Sequence, residues 1–201
     1  MPCAALTTDA PERASCTVSL TLLVGGARSG KSTLAVEIGR RFEKNHNDAT
    51  VTFIATAPRS DDDMDRRIDQ HQAERPSNWV TVEEQIDLAN AIGHSAPGLV
   101  IVDCLTLWTS NLMWADLDEV AVQERTTSTV RATVDHPGDV VVVTNEVGLG
   151  IVPDNEMVRS YRDLHGQVNQ QFVASADRSL YLVAGRATPL VDPWTLLDGL
   201  A

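Results

Sequence analysis

The sequence predicts an α/β fold with a mostly parallel central sheet and helices on both faces, and three observations predict it. Its strand-like runs, among them VTFIAT (51–56), GLVIVDC (98–104) and SLYLVAG (179–185), are almost continuously apolar, as strands buried on both faces are. Between them lie stretches with apolar residues at helical spacing, the pattern of parallel strands joined by crossover helices. Finally, residues 18–34, VSLTLLVGGARSGKSTL, pass from strand formers through a glycine-rich turn into a helical pattern. Gly25, Gly30, Lys31 and Ser32 there match GxxxxGK[ST] in the strand-before, helix-after setting that a phosphate-binding loop requires.

After the loop, Leu34, Ala35, Ile38 and Phe42 are spaced for a helix over 32–44, which NHNDA ends. VTFIAT is the second strand. The aspartates of APRSDDD suit a helix start, and the helix runs from about 62 to 74 because Pro76 disfavours a helical Arg75. WVTVEE (79–84) reads as a short strand or extended link, and 85–93 as a modest helix ending at glycine. GLVIVDC is the third clear buried strand and ends in an acid. Residues 105–134 are helical and amphipathic, with the acidic, threonine-rich 115–129 portion a candidate to loop out. DVVVVTNEVG (139–148) is a further buried strand, 155–176 a long helix, and SLYLVAG the last strong strand. Ligands in such sheets gather at the carboxyl ends of the strands, where the phosphate loop, Asp103, Glu146 and the loop after Thr56 all fall.

A chain of 201 residues with 43% hydrophobic content is long enough for one well-buried core and short for two. The expected organisation is an N-terminal extension over 1–17, disordered by its Ala, Thr, Ser and Pro content, a single domain over 18–186, and a tail over 187–201. A net charge of -12, with 16 basic against 28 acidic residues, argues against a nucleic-acid surface but leaves room for a small phosphorylated substrate. Cys3, Cys16 and Cys104 offer neither a disulfide framework nor zinc spacing, which suits a reducing cytoplasm. No apolar run approaches the roughly 20 residues that cross a membrane, and the opening segment lacks the form of a secretory signal.

In the phosphate loop, Gly25, Gly26 and Gly30 let backbone amides turn inward, and the following helix aims its positive end at the anion. Lys31 then reaches the β- and γ-phosphates, and the Ser32 hydroxyl helps hold Mg²⁺. Asp103, closing LVIVD, suits the acid that holds the magnesium water shell; the alternative is a cap on the next helix. Glu146 fits a metal ligand, a group that orders a substrate hydroxyl, or an arginine partner. Met64, Ile68 and His71 stand at i, i+4 and i+7, so the imidazole shares a face with the residues that dock its helix. A neutral imidazole there is either a nucleophile toward phosphorus or a satisfied core histidine. Arg67 and Arg75 lie one turn on either side, placed to neutralise phosphate charge. His46, His94 and His136 read as surface, His165 as lying on a solvated face with reach to the site as the alternative, and Trp79, Trp108 and Trp114 as packing residues.

Several blocks, taken in order, resemble one family. They are GGARSGKS (25–32), the run from DDDM through RI-x-x-H-x-x-x-RP to Trp79, VDCLTLW-x-x-NL (102–112), TNEVGLGIVP (144–153) and RDLHGQVNQ (162–170). The chain is similar over about 18–186 to the bifunctional adenosylcobinamide kinase/adenosylcobinamide-phosphate guanylyltransferases of cobalamin biosynthesis. That resemblance implies a RecA-like P-loop fold, often trimeric, with active sites near subunit boundaries. It implies two reactions: a nucleoside triphosphate, ATP or GTP, phosphorylates adenosylcobinamide, and GTP then guanylylates a histidine that passes GMP to adenosylcobinamide phosphate. The guanylylated histidine falls on His71; some members carry two adjacent histidines, whereas Gln70 precedes a single one here. Nucleotide contacts are expected from Gly25, Gly26, Ala27, Arg28, Ser29, Gly30, Lys31, Ser32, Arg67, Arg75, Glu84 and Asp103, and possible substrate contacts from Glu146 and Arg162. The acid of the third block is Glu in some relatives and Asp103 here. The alternatives to be weighed are a P-loop kinase of another small alcohol, with His71 merely packed, and a GTP-dependent regulatory module.

Overall fold

The structure, a computed structural model, describes residues 19–47, 49–59 and 62–197, except for the side chains of residues 62–64, 67 and 71. The expected 1–17 extension, with Cys3 and Cys16, lies outside the described residues. Among those described, β1 (Leu20–Gly25), β2 (Thr50–Ala55), β3 (Val80–Glu83), β4 (Gly98–Asp103), β5 (Asp139–Asn145), β6 (Arg178–Val183) and β7 (Arg186–Pro189) form one sheet. Its order is β3-β2-β4-β5-β1-β6-β7, and every pairing is parallel except that of β6 with β7.

The apolar strands divide their side chains between the two faces by the two-residue period of a strand. Leu22, Val24, Val100, Val102, Val140 and Val142 join one core, which is covered by α3 (Leu88–Gly93), α4 (Leu105–Trp114), α5 (Glu119–Asp135) and α6 (Glu156–Ser175). Leu23, Leu99, Ile101, Val141 and Val143 join the other, under Ala35 and Val36 of α1 (Lys31–Asn45) and beside Trp79. Both faces being covered is why the strands read as continuous apolar runs. Trp108 is wholly buried and its indole N–H donates to the Ile86 carbonyl at 2.9 Å, so its truncation to alanine removes roughly 3–5 kcal/mol of stability.

Four expectations are corrected here. The 115–129 portion does not loop out: α4 ends at Trp114, the break is confined to 115–118, and Asp118 caps α5 by accepting from the Ala121 N–H at 2.8 Å. Threonines are buried in α5 because their hydroxyls bond back to the preceding turn, Thr126 to the Val122 carbonyl and Thr129 to that of Arg125, each at 2.8 Å. His136 is not a surface residue; it is 3% exposed, and its Nδ1 accepts from the Gly138 N–H at 3.0 Å. Trp114, expected to pack, is 75% exposed at the end of α4. The sheet also continues past position 187, since β7 returns antiparallel on β6 before the short α7 (Pro193–Leu196). No helix among the described residues is long and apolar enough to cross a membrane.

Candidate active site

The carboxyl ends of β1, β4 and β5 open into a cavity of about 690 Å³. The turn from β1 into α1 forms one wall. Gly25 has no room for a side chain: a Cβ there would lie 2.4 Å from the Leu182 carbonyl oxygen. Gly30 adopts φ 98°, a left-handed conformation that favours glycine, and so turns the chain into the first turn of α1. Ala27, Arg28, Ser29, Gly30, Lys31 and Ser32 all line the cavity, which leaves Gly25 and Gly26 as the strand end and hinge behind it.

Lys31 is 6% exposed, and its Nζ donates to the Gly26 carbonyl at 2.7 Å and the Ser29 hydroxyl at 3.3 Å, both within its own loop. Burial pulls its pKa down, while neighbouring Cys104 and Asp103 oppose the shift. Asp103, closing β4, also lines the cavity. It does not cap α4; Cys104 occupies the N-cap position and no side chain caps that end. Burial pushes the Cys104 thiol up to about 12, which makes it an unreactive packing residue rather than a nucleophile.

The opposite rim is the helix α2 (Asp62–Ala73) and the turn after it, through Ile68, Gln70, Glu74 and Arg75. Arg75 lies 3.5 Å from the centroid of the Phe53 ring, and its shielded Nε has no partner among the described residues. Burial lowers its pKa, opposed by Asp103, Glu83 and Glu74, yet a guanidinium remains charged. An arginine held on an aromatic face with an unpaired N–H is a ready anion donor. The side chains of His71 and Arg67 lie outside the described residues; position 71 itself falls within α2.

Glu84 does not line this cavity; its Oε1 accepts from the backbone N–H groups of Ile86 and Asp87 at 2.7 and 2.8 Å and organises the entry to α3. Glu146 and Arg162 meet in a second, shallower depression of about 450 Å³, with Asp163 and Gln170. There Glu146 accepts from the Gly148 N–H at 2.6 Å, and Arg162 pairs with Asp163 at 3.0 Å, so the arginine-partner reading of Glu146 is not realised among the described residues.

Among the polar residues of the main cavity that escaped the sequence reading are Thr106 and Asn145. Both lie within the blocks that carry the family resemblance, which was the available signal. His165, expected on a solvated face, is instead fully buried behind them, with its Nε2 3.0 Å from the Asn145 carbonyl. The physical reason is its helix register: Leu164, Val168 and Phe172 form the buried stripe of α6, and His165 and Asn169 border it.

A sequence model of the family described as cobinamide kinase / cobinamide phosphate guanyltransferase matches residues 21–190. The bifunctional adenosylcobalamin biosynthesis protein CobP of Pseudomonas aeruginosa is 38% identical over 171 residues, covering 84% of this chain and 95% of that relative. The bifunctional adenosylcobalamin biosynthesis protein CobU of Escherichia coli is 36% identical over 179 residues, covering 82% of this chain and 95% of its own length. Among solved structures, the flagellar accessory protein FlaH of Methanocaldococcus jannaschii superposes with a TM-score of 0.52 at 16% identity, covering 86% of this chain and 77% of that one. At that identity the likeness speaks to the fold alone, a mostly parallel sheet with helices on both faces.

Proposed function

Since the chain belongs to the cobinamide kinase / cobinamide phosphate guanyltransferase family, we propose that its phosphate-loop cavity serves two transfers and that His71 carries the nucleotide in the second. The chain is a bifunctional enzyme of cobalamin biosynthesis, a cobinamide kinase and a cobinamide phosphate guanylyltransferase. Its substrates on this reading are adenosylcobinamide, adenosylcobinamide phosphate and the nucleotides ATP and GTP. The observation that supports the assignment of His71 is the lining of the cavity by Ile68, one helical turn before position 71, and by Arg75, in the turn just after α2.

In the kinase step an alcohol oxygen of the corrinoid attacks the γ-phosphorus; the new P–O bond forms as the bond to the nucleoside diphosphate breaks, and the alcohol proton is lost to solvent. Lys31 exchanges its bonds to Gly26 and Ser29 for phosphate oxygens, and Arg75 offers its unpaired N–H to the same charge. In the guanylyl step a neutral His71 nitrogen attacks the α-phosphorus of GTP. A P–N bond forms and pyrophosphate leaves; an oxygen of the substrate phosphate then takes the phosphorus and the P–N bond breaks. Ser32 and Asp103, a hydroxyl and a carboxylate lining one cavity, fit a hard cation such as Mg²⁺. Among the described residues no cluster of three or more His, Cys, Asp or Glu forms a dedicated metal cage, which suits a cation shared with phosphates and water. When bound, Mg²⁺ supplies neutralisation of phosphate charge. The second depression, with Glu146 and Arg162, is assigned to substrate contacts, Arg67 to support of the nucleotide, and the whole to a cytoplasmic homo-oligomer, a trimer.

GTP labelled at the α-phosphate tests the assignment. The wild-type protein is expected to retain an acid-labile, base-stable label that moves to adenosylcobinamide phosphate on its addition. Retention of the same label by a folded His71→Ala protein would contradict it.

A further inference from the structure

Asn145 closes β5, the strand between β4, which ends at Asp103, and β1, which ends at Gly25. In register Gly25 pairs with Asn145, so the residue stands beside the first position of the phosphate loop, on the strand between that loop and the acid-bearing β4. Its surroundings hold it unusually fully. The Asn145 backbone N–H and its Nδ2 both donate to the Thr106 hydroxyl oxygen, at 2.8 and 3.0 Å. Its carbonyl accepts from His165 Nε2 and Asn169 Nδ2, each at 3.0 Å.

His165 is fully buried in this arrangement. A carbonyl can only accept, so the Asn145 contact fixes the proton on Nε2. The ring's Nδ1 lies 3.1 Å from the Thr109 hydroxyl, and Tyr161 stacks on it at 5.7 Å between centroids while donating to the Thr106 carbonyl at 3.0 Å. Asn169 in turn accepts from Thr144 at 2.6 Å. The network therefore takes both backbone groups of Asn145 and one amide hydrogen. It leaves the second amide hydrogen and Oδ1 without a partner among the described residues, on a side chain that lines the nucleotide cavity.

We propose that Asn145 contacts the terminal phosphoryl group of the nucleotide during the kinase step, and that the buried His165 is the positioning residue that holds it there. The inference rests on the kinase reading above and names a group that reading does not use. Asn145 donates a hydrogen bond to a phosphoryl oxygen while the acceptor P–O bond forms and the bond to the diphosphate breaks; it neither gains nor loses a proton. A donor fixed before the reaction contributes most where charge shifts in the transition state, so its removal lowers kcat more than nucleotide affinity.

The test measures kcat and KM of adenosylcobinamide phosphorylation, and binding of ADP and ATP, in wild type, Asn145→Ala, Thr106→Val, His165→Gln and His165→Ala. The glutamine amide nitrogen replaces Nε2. The expected result is about a 100-fold fall in kcat for Asn145→Ala with ADP affinity within about twofold. A smaller fall is expected for Thr106→Val and His165→Ala, with recovery toward wild type in His165→Gln. Unchanged kcat in a folded Asn145→Ala protein overturns the contact. Equal losses in His165→Gln and His165→Ala that follow melting temperature, with no kcat–KM split, overturn the positioning role. Should His165→Ala fail to fold, Thr106→Val carries the same question. A wild-type protein without kinase turnover would instead remove the reading on which the inference stands.

Discussion

Two walls of the candidate cavity are built in opposite ways. The phosphate loop is one contiguous turn whose key cation bonds within the turn, Lys31 to Gly26 and Ser29. The wall beside it brings Thr106 from α4 and Asn145 from β5 together, and braces them from α6 through His165 and Asn169. The difference teaches that one wall can trade its internal bonds for ligand bonds, whereas the other is set before any ligand arrives. A hydroxyl–amide–imidazole network that is this fully bonded and buried is costly to rearrange.

The largest expected effect belongs to neither wall. His71→Ala is expected to bring guanylyl transfer below detection while phosphorylation stays within about threefold, measured as GMP and phosphate incorporation into the corrinoid. Equal loss of both steps in a folded protein would make His71 a packing residue. Next comes Lys31→Ala, expected to cost both steps about 10²–10³-fold in kcat/KM, since each uses the same triphosphate cradle. If only one step falls, the two nucleotides do not share the cavity.

Lys31 and its neighbours were legible in the sequence because their signals are local, whereas His71 was assigned its role only through the family resemblance. Gly25, Gly30, Lys31 and Ser32 sit in eight consecutive positions, Asp103 at a strand terminus, and Arg75 at the end of a helix; all but Gly25 line one cavity. The parallel sheet was legible too, because strands covered on both faces leave continuous apolar runs such as VVVVT. What was not legible depends on packing between distant elements. Polar neighbours made RDLHGQVNQ look solvated, yet the spacing of Leu164, Val168 and Phe172 sets His165 against the core. The role of Thr106 and Asn145 follows only once α4 and β5 are side by side. The threonines of α5 misled for a related reason: a hydroxyl that bonds back to its own helix can be buried without a partner elsewhere.

A smaller, purely structural effect sharpens the comparison on the loop side. Gly25→Ala would drive a Cβ against the Leu182 carbonyl oxygen, and backbone cannot swing away as a side chain can. A loss of about 1–3 kcal/mol is expected, read as a melting-temperature fall of roughly 2–4 °C per kcal/mol. An unchanged melting temperature would show that β1 and β6 are less tightly apposed at the loop than described.

The smallest effect lies on the braced wall. Burial lowers the His165 pKa, opposed by the Asn145 carbonyl and Glu146, so the folded protein holds a neutral imidazole. Below the ordinary value of 6.5 the unfolded chain binds a proton that the folded chain refuses, and stability falls as pH drops through that range. His165→Gln removes this titration. Its melting temperature is therefore expected to fall less than that of wild type between about pH 7 and pH 5, other carboxylates contributing equally to both. Parallel curves would mean that the ring accepts a proton without cost.

The central claim is that α2 delivers its single histidine to a triphosphate seated in the loop. Intact-mass and peptide mass spectrometry after incubation with GTP and Mg²⁺, quenched at alkaline pH, tests it most directly. One added GMP per chain, located on residues 68–75 at His71, is the predicted result. Absence of the adduct in protein that turns over, or its location on any other residue, contradicts the account.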